Sequence, residues 1–486
     1  MTSFTAASPA ATHRATFAAP GRLISQPAVI AAVLAFDLAA VALAGALTLA
    51  RWHGSPGLAA LAALLLAPFA VVVVLQARFA YTIRALADPL QQAASAALAL
   101  LAALGALVFA AVLVGEDAAA LRFWVVEWLA AAFAALLCAR LAAAAALKTW
   151  TRQGRLARRT VVVGGGEEAE DLIARLDRSG GGAISILGLF DDRDKHRSPE
   201  MVGRYCKLGR FDDLAAFCRA ERIDLLVIAL PAAAEDRILH ILRKLWELPV
   251  DVRISALGAK LKLRSRAYNY IGDVPFLPMF DKPMSDWNVA LKVIEDRVLA
   301  GIGILALSPV FALCAVAVKL SSPGPVFFRQ VRHGFNNEAI GVFKFRSMHV
   351  DQSDAAAAKL VTRGDPRVTK VGAFLRRSSL DELPQLLNVL RGELSLVGPR
   401  PHAMQAKAAG RIYDEVVEGY FARHKVKPGI TGWAQVNGWR GETDTVEKIE
   451  QRVAHDLYYI ENWSAWLDLR ILIMTPLSLV TAKNAY

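Results

Sequence analysis

The chain opens with four apolar runs, near residues 27 to 50, 58 to 77, 91 to 115 and 123 to 147. Each matches the roughly 20 residues that cross a hydrocarbon core, so the pattern predicts four transmembrane helices within residues 1–150. From Arg159 the period changes. Thr160-Val161-Val162-Val163 reads as a strand, Gly164-Gly165-Gly166-Glu167-Glu168-Ala169 as a glycine turn, and the stretch through Leu176 as a helix. Further strand-like runs, Ile184 to Phe190 and Asp224 to Leu230, and a helix from about Ala234 to Trp246 continue the alternation, which predicts a doubly wound α/β, Rossmann-like domain over 151–268. Residues 269–286, rich in Pro, Asp and aromatics, read as a linker, and 287–486 as an α-rich third domain. Its last apolar stretch, Leu467 to Val480, contains Asp468 and Arg470; it is too short and charged to span and reads as an interfacial helix or as domain packing.

One more apolar stretch, Val298 to Val318, is long enough for a fifth span, but its charges argue otherwise. Lys292 and Arg297 precede it and Lys319, Arg329 and Arg332 follow it, so both ends favour the cytoplasmic side. Ser308-Pro309 stands at its centre, where proline removes a backbone donor and a serine hydroxyl can satisfy the freed carbonyl. These features predict a re-entrant membrane helix near 292–320. Basic residues orient the rest of the chain. Arg14, Arg22, Arg78 and Arg84, and above all Arg140, Lys148, Arg152, Arg155, Arg158 and Arg159, mark cytoplasmic ends, whereas Glu116 and Asp117 suit an external loop; Arg51 dissents. Asp37, an ionisable residue inside the first run, reads either as functional or as a packing residue satisfied by a neighbour.

Composition narrows the class. Of the 486 residues 55% are hydrophobic, which points to a membrane protein. The net charge of +12 suits anionic headgroups and phosphorylated substrates; no nucleic-acid motif is present. Four scattered cysteines form neither a disulfide framework nor a zinc spacing. The glycine turn has the G-x-G-x-x-A spacing that brings backbone close to a diphosphate, with Gly164 and Gly166 as the contact positions and Asp191-Asp192 where a ribose-binding acid would lie. Glu167 and Glu168, however, put negative charge beside that place, so the turn speaks for the fold more than for a bound dinucleotide. A dehydratase or epimerase reading of this domain lacks a Tyr-x-x-x-Lys pair, and a non-catalytic nucleotide-sensing regulator leaves the carboxylates described next without a purpose.

The candidate chemistry lies in Ser378-Ser379-Leu380-Asp381-Glu382-Leu383-Pro384, on a predicted helix from Gly372 to Leu390 whose first turns hold Arg376 and Arg377. Arg400 follows in a Gly-Pro-Arg-Pro turn, and Lys344 and Arg346 are set among apolar residues as at a headgroup layer. An aspartate is ionised at neutral pH and attacks phosphorus without a general base. A neighbouring glutamate suits Mg²⁺, so Asp381 and Glu382 are the candidate metal ligands. An Asp-Glu pair alone means little; the arginines and the apolar hairpin give it weight. Histidines 402, 424 and 455 are possible acids or bases that this chemistry does not need.

Three motifs, Arg376 through Asn388, Leu394 through Pro401, and Lys427 through Gly438, closely resemble the bacterial sugar transferases that transfer a hexose 1-phosphate to a polyprenyl phosphate, the monotopic phosphoglycosyl transferases. The resemblance covers about 287 to 486. It implies Asp381 as nucleophile of a covalent phosphosugar intermediate formed with loss of UMP, Glu382 at Mg²⁺, and Arg376 and Arg400 near the phosphates. It further implies UDP-hexose and undecaprenyl phosphate as substrates, glucose or galactose as the sugar, an inner-membrane location with a cytoplasmic catalytic domain, and a role in initiating exopolysaccharide or capsule synthesis. A homodimer is expected from the surface that the helices and soluble domain offer. Asp456 and Tyr459 also match a family pattern, without an assigned role. Trp439 is inserted before Arg440, which weakens Arg440 as a phosphate contact.

Overall fold

The computed structural model describes residues 24–51, 57–114, 118–179, 184–193, 201–231, 233–257, 268–271, 273–350, 365–402, 407–408, 411–412, 417, 419–441 and 445–481. Arg14, Arg22, Glu116 and Asp117, used above for orientation, lie outside them. Among the described residues five helices are long and apolar enough to cross a membrane, and four of these are the predicted N-terminal runs. The described chain forms two compact units.

The first unit contains α1 (Gln26–Arg51), α2 (Leu58–Ala77), the short α3 (Ile83–Leu86), α4 (Pro89–Val114) and α5 (Ala118–Arg152). Leu34, Leu75, Trp128 and Leu136 are buried between helices, while Leu43, Leu65, Phe69 and Phe109 stay exposed. Such an inside-and-outside apolar composition belongs to a bundle surrounded by lipid. Asp37 is a packing residue: its Oδ2 accepts from Tyr81 Oη at 2.8 Å and from Arg140 Nη2. Arg140 is therefore no loop charge, as the orientation reading took it, but a fully buried partner inside the bundle.

The second unit holds an eight-stranded sheet and the C-terminal region. Its strands are β1 (Arg158–Val163), β2 (Ile184–Phe190), β3 (Met201–Val202), β4 (Tyr205–Gly209), β5 (Leu225–Ile228), β6 (Asp251–Ser255), β7 (Asn269–Ile271) and β8 (Val274–Phe280), in the order β3-β4-β2-β1-β5-β6-β8-β7. The pairs β4-β2, β1-β5 and β5-β6 are parallel, as a doubly wound sheet requires, with α6 (Glu167–Ser179), α7 (Phe211–Ala220) and α8 (Glu235–Leu245) as connections. The stretch read as a linker instead supplies two antiparallel strands to the sheet. Pro275 and Pro278 disguised it, because proline argues against a strand within a sheet; yet Val274 and Phe276 alternate inward and are fully buried.

The C-terminal part begins with α9 (Asp286–Ser321), one helix of 36 residues with Pro309 inside it. Proline lacks the donor for the carbonyl four residues back, and Ser308 Oγ supplies it, donating to Leu305 O at 2.8 Å. Before Pro309, Leu299 and Ala300 pack in a core with Val342, Val389 and Tyr459. After it, Phe311, Cys314 and Val318 pack with Phe345, Leu375 and Leu383. On the remaining face Ile302, Leu305, Leu313, Val316 and Leu320 are exposed. A hairpin of β9 (Phe327–His333) and β10 (Ala339–Phe345) follows, then α10 (Lys370–Arg377), a 3₁₀ turn Leu380–Glu382 and α11 (Gln385–Arg391). The single helix expected over 372–390 is thus broken. Ser379 adopts φ +57°, a left-handed conformation that costs a non-glycine residue, and Pro384 restarts the helix.

Strand β11 (Ser395–Val397) pairs in parallel with Gly429–Thr431, joining two of the three sequence motifs. A Cβ on Gly398 would lie 2.5 Å from Lys427 O and one on Gly429 2.1 Å from Gly398 N, so these glycines permit the close approach. Two long helices, Val446–Glu461 and Ala465–Thr481, complete the part. The second is fastened to the domain, because Asp468 is fully buried and pairs with Lys292 at 2.7 Å. Lys292 is thereby a core cation, not the flanking charge it was counted as.

Candidate active site

The break after α10 creates the site. Thr369 caps α10, accepting from Gly372 N at 2.9 Å, and the left-handed Ser379 turns the chain so that Asp381 and Glu382 point inward from a 3₁₀ turn. Asp381 is 7% exposed, which removes it from the class of ordinary surface carboxylates. Glu382 Oε1 receives Lys344 Nζ at 2.8 Å and Arg400 Nη2 at 2.6 Å, and Arg400 Nη1 reaches Oε2 at 3.2 Å. Arg400 therefore grips Glu382 with both ends of its guanidinium fork.

The adjacent acids diverge in their electrostatics. Burial, followed by the charge of Glu382, raises the Asp381 pKa above the ordinary carboxylate value against the pull of Lys344, Arg376 and Arg400. Burial would also raise Glu382, but Arg400 and Lys344 overcome it and hold that carboxyl well below its usual range. Glu382 is thus a fixed anion tied to two cations, and Asp381 the carboxylate with less compensation. Arg440 donates to Ser379 Oγ at 2.8 Å, and its own pKa is lowered by burial and by Arg400. The inserted Trp439 does not carry Arg440 away from the site.

Arg346, expected among the phosphate contacts, points elsewhere. It donates to Pro323 O at 2.9 Å and to Val318 O and Ser322 O, closing the C-terminal end of α9. An arginine satisfying the last carbonyls of a helix is a structural device. Ser308 and Pro309 belong to α9 and take no part in the carboxylate cluster.

Two buried networks, of which the local patterns showed little, hold the site. Arg423 is fully buried, pairs with Asp456 and donates Nη2 to Arg400 O at 2.9 Å. Its Nη1 lies 2.7 Å from His402 Nδ1, which is itself 2.8 Å from Tyr420 Oη. Burial and the neighbouring Arg423 push the His402 pKa well down, so the ring is a neutral acceptor in this network and not an acid or base for the chemistry. In the second network Lys292 meets Asp296 and Asp468, and Asp296 accepts from Ser395 Oγ and Leu396 N. Tyr459 Oη joins by donating to Asp468 at 2.7 Å and lies 3.0 Å from Val397 O. Asp456 and Tyr459 thus acquire roles as supports. Asn388 ties α11 to β10, accepting from Phe343 N and donating to Gly341 O, both at 2.9 Å, one residue from Lys344.

For Mg²⁺ the donor set is small. No group of three or more His, Cys, Asp or Glu suited to a metal occurs among the described residues. Two adjacent carboxylates fit an ion held mainly by substrate phosphate oxygens and water, the usual manner of Mg²⁺. Asp381 is the more available of the two, since Glu382 already meets two cations.

The glycine turn of the Rossmann-like domain is differently built. Gly164 has φ +121°, and a Cβ there would lie 2.5 Å from Ala229 O. A Cβ on Gly166 would meet the Arg193 guanidinium at 2.9 Å. Asp191, the candidate ribose acid, is fully buried and bound to Arg193 at 3.1 Å. The glycines serve a close strand-to-helix turn, with an arginine lying over it.

Comparison with known proteins agrees with both halves. Residues 287–482 match the family described as bacterial sugar transferase, and residues 76–256 the one described as CoA-binding domain. The chain is 40% identical over 363 residues to an undecaprenyl-phosphate glucose phosphotransferase of Komagataeibacter xylinus, covering 74% of this chain and 66% of that protein. It is 46% identical over 278 residues to a UDP-glucose:undecaprenyl-phosphate glucose-1-phosphate transferase of Escherichia coli (strain K12), covering 57% and 59% respectively. The protein of that same description from Xanthomonas campestris pv. campestris is 38% identical over 376 residues, covering 77% of this chain and 76% of its own length. The chain thus spans about three fifths to three quarters of these relatives.

Proposed function

Because the chain belongs to the bacterial sugar transferase family, we propose that it transfers glucose 1-phosphate from UDP-glucose to undecaprenyl phosphate, releasing UMP. The observation that bears this reading is the buried Asp381 beside the partly buried Glu382, among Lys344, Arg376, Arg400 and Arg440. In the first step an oxygen of the Asp381 carboxylate attacks the phosphorus that bears the sugar. A bond from that phosphorus to Asp381 forms as the bond to the bridging diphosphate oxygen breaks, and UMP departs with the electron pair. In the second step an oxygen of undecaprenyl phosphate attacks the aspartyl phosphate, and the Asp381 carboxylate leaves.

Neither nucleophile needs a general base, which accords with a neutral, buried His402. Asp381 is the better nucleophile of the pair, since Glu382 is neutralised by Arg400 and Lys344. The cations favour the dianionic diphosphate and the charge that develops as UMP leaves. Mg²⁺, held by Asp381 or Glu382 together with the diphosphate, would supply further charge neutralisation.

The reading places the four N-terminal helices across the bacterial inner membrane and the catalytic region on its cytoplasmic face. It makes α9 re-entrant, supported by the contacts on both sides of Pro309 with one globular region and by the exposed apolar face opposite. A spanning helix would have to carry one of these contact sets, and the charged residues beside it, through roughly 30 Å of hydrocarbon. The product would prime an exopolysaccharide, and the working form would be a homodimer. Glucose is preferred to galactose because the relatives above are described as glucose transferases.

The test is to incubate purified protein with Mg²⁺ and UDP-glucose labelled in the sugar, without lipid acceptor, and to measure intact mass. A hexose-phosphate adduct that disappears in Asp381→Asn and is discharged by undecaprenyl phosphate is the expected result. Turnover with lipid but no adduct would remove the covalent aspartate, and no turnover with any UDP-hexose would overturn the function.

A further inference from the structure

We infer that the Rossmann-like domain is a positioning element of the transferase site, setting Arg400 and Lys344 by holding the two segments behind them. This rests on the proposed function for its catalytic meaning, but the contacts stand independently. The segment Tyr420–Lys425 has two faces. Inward, Arg423 donates to the carbonyl of Arg400 and pairs with Asp456. Outward, the Phe421 ring lies under the Arg219 guanidinium at 5.2 Å, and Lys425 Nζ lies 5.2 Å from the Trp246 ring centroid. Arg219 lies in the last turn of α7 and Trp246 follows α8, so both outward partners belong to the Rossmann-like domain.

Gly419, which begins this segment, shows how close the contact is. It has φ +75°, and a Cβ there would fall 2.4 Å from the Trp246 ring. Only glycine meets both the left-handed backbone and the tryptophan. A displaced Trp246 would therefore free the segment that orients Arg423, and with it the backbone from which Arg400 reaches Glu382.

A second contact reaches the other cation. The turn between β9 and β10 has Asn336 and Asn337 both at positive φ, +51° and +62°. Asn336 Nδ2 donates to Cys218 O of α7 at 3.2 Å, and Asn337 bonds His424 of the same Tyr420–Lys425 segment. Strand β10 then carries Lys344 to Glu382. Two chain segments thus touch the Rossmann-like domain at one end and converge on Glu382 at the other. A strained turn persists where its surroundings over-determine it, and here the surroundings are α7 and His424.

The experiment uses the full chain in lipid nanodiscs, with Arg219→Ala, Trp246→Ala and the double variant. Arg219 is partly exposed, so its variant is the one expected to fold. Small misplacement of catalytic groups costs up to about 10²-fold in rate; the double variant is expected to lose about tenfold in kcat per active site, at unchanged KM for undecaprenyl phosphate. Arg219→Lys and Trp246→Phe, which keep the cation and the ring, are expected to restore it. A merely structural contact would lower the amount of folded enzyme and its melting temperature but leave kcat per folded site unmoved, and that result overturns the proposal.

Amide hydrogen exchange supplies the arm that does not depend on turnover. Arg400, His402 and Glu338–Phe345 are expected to exchange about tenfold faster in Arg219→Ala than in the wild type, as local opening is eased. Unchanged protection there would refute the coupling whether or not the wild type transfers a sugar phosphate. Absence of wild-type turnover, by contrast, would count against the function alone.

Discussion

The glycine turn at Gly164–Gly166 and the acidic pair at Asp381–Glu382 exchange their standing between sequence and structure. The turn has the more specific spacing, yet Arg193 lies over it and binds the acid that would take a ribose. The pair is of a kind common on helix surfaces, yet Asp381 is buried and the two acids are surrounded by cations from β10, α10 and the Arg400 and Arg440 loops. A backbone motif reports how the chain turns. A catalytic site needs side chains from distant segments to meet, and no local spacing shows that.

The sharpest way to break the contrast is Asp381→Asn. A nucleophile's removal should lower glucose-phosphate transfer by about 10⁴-fold or more, and the folded protein should become more stable at neutral pH. The sign follows from the raised pKa of Asp381. Between the unfolded value and the higher folded one the native state binds more protons, so ionising this carboxyl lowers stability as pH rises. Asparagine removes that cost. A melting temperature that falls with activity would mean Asp381 is a structural acid.

Next in size is the pair Arg400→Ala and Arg346→Ala, two arginines that the sequence set side by side. Loss of Arg400 should cost roughly 10² to 10³ in kcat, the scale of removing an electrostatic donor from a reacting centre. Arg346→Ala should instead lower the melting temperature and leave kcat per folded site near wild type, because it bonds the backbone carbonyls at and just beyond the end of α9. Equal rate losses in the two, measured by initial rates on protein of verified fold, would undo the assignment of Arg346.

What the sequence made legible follows the same division. The four apolar runs and the parallel strands are local, set by period, and the structure has them where the pattern put them, whereas α9 runs as one helix through Ser308-Pro309. Asp381, Glu382, Arg376, Arg400 and Lys344, singled out through motif resemblance and clustered charge, are brought together in the structure. Strands β7 and β8 were missed because Pro275 and Pro278 mask a partner supplied across the sheet. Arg423 and Lys292 were missed as supports, since a buried cation looks like any other until its acids, Asp456 and Asp468, arrive from far along the chain. Arg140 was misread for the same reason.

A pH profile would sharpen the division within the dyad itself. In the proposed mechanism transfer requires ionised Asp381, so the rate should fall about tenfold per pH unit below its pKa, with an acid limb above the ordinary aspartate range. Arg376 opposes that shift, and Arg376→Ala should move the limb to still higher pH. Glu382 has a depressed pKa, so its stabilising contribution is present above the unfolded value and lost only as pH falls through the lower folded value. Activity should therefore fail in acid before the fold does. Coincident loss of rate and fold would mean that one group controls both.

The smallest effect should come from the other region. Arg193→Ala removes the guanidinium over the glycine turn and leaves Asp191 buried without its ion pair, a loss of about 1–3 kcal/mol in stability. The melting temperature should drop, while transfer per folded enzyme stays within about twofold of wild type, because Arg193 follows β2 and is not among the residues of α7 and α8 that touch the catalytic segments. Isothermal titration of wild type and variant with a dinucleotide completes the test. Binding in the variant alone would mean that Arg193 closes a cradle that still has the shape for a diphosphate. Binding in neither would leave the turn as architecture, and its three glycines as the price of bringing β1 against α6. A large loss of transfer in Arg193→Ala would instead show that this end of the domain acts on the carboxylates, and the contrast drawn between the two regions would fall.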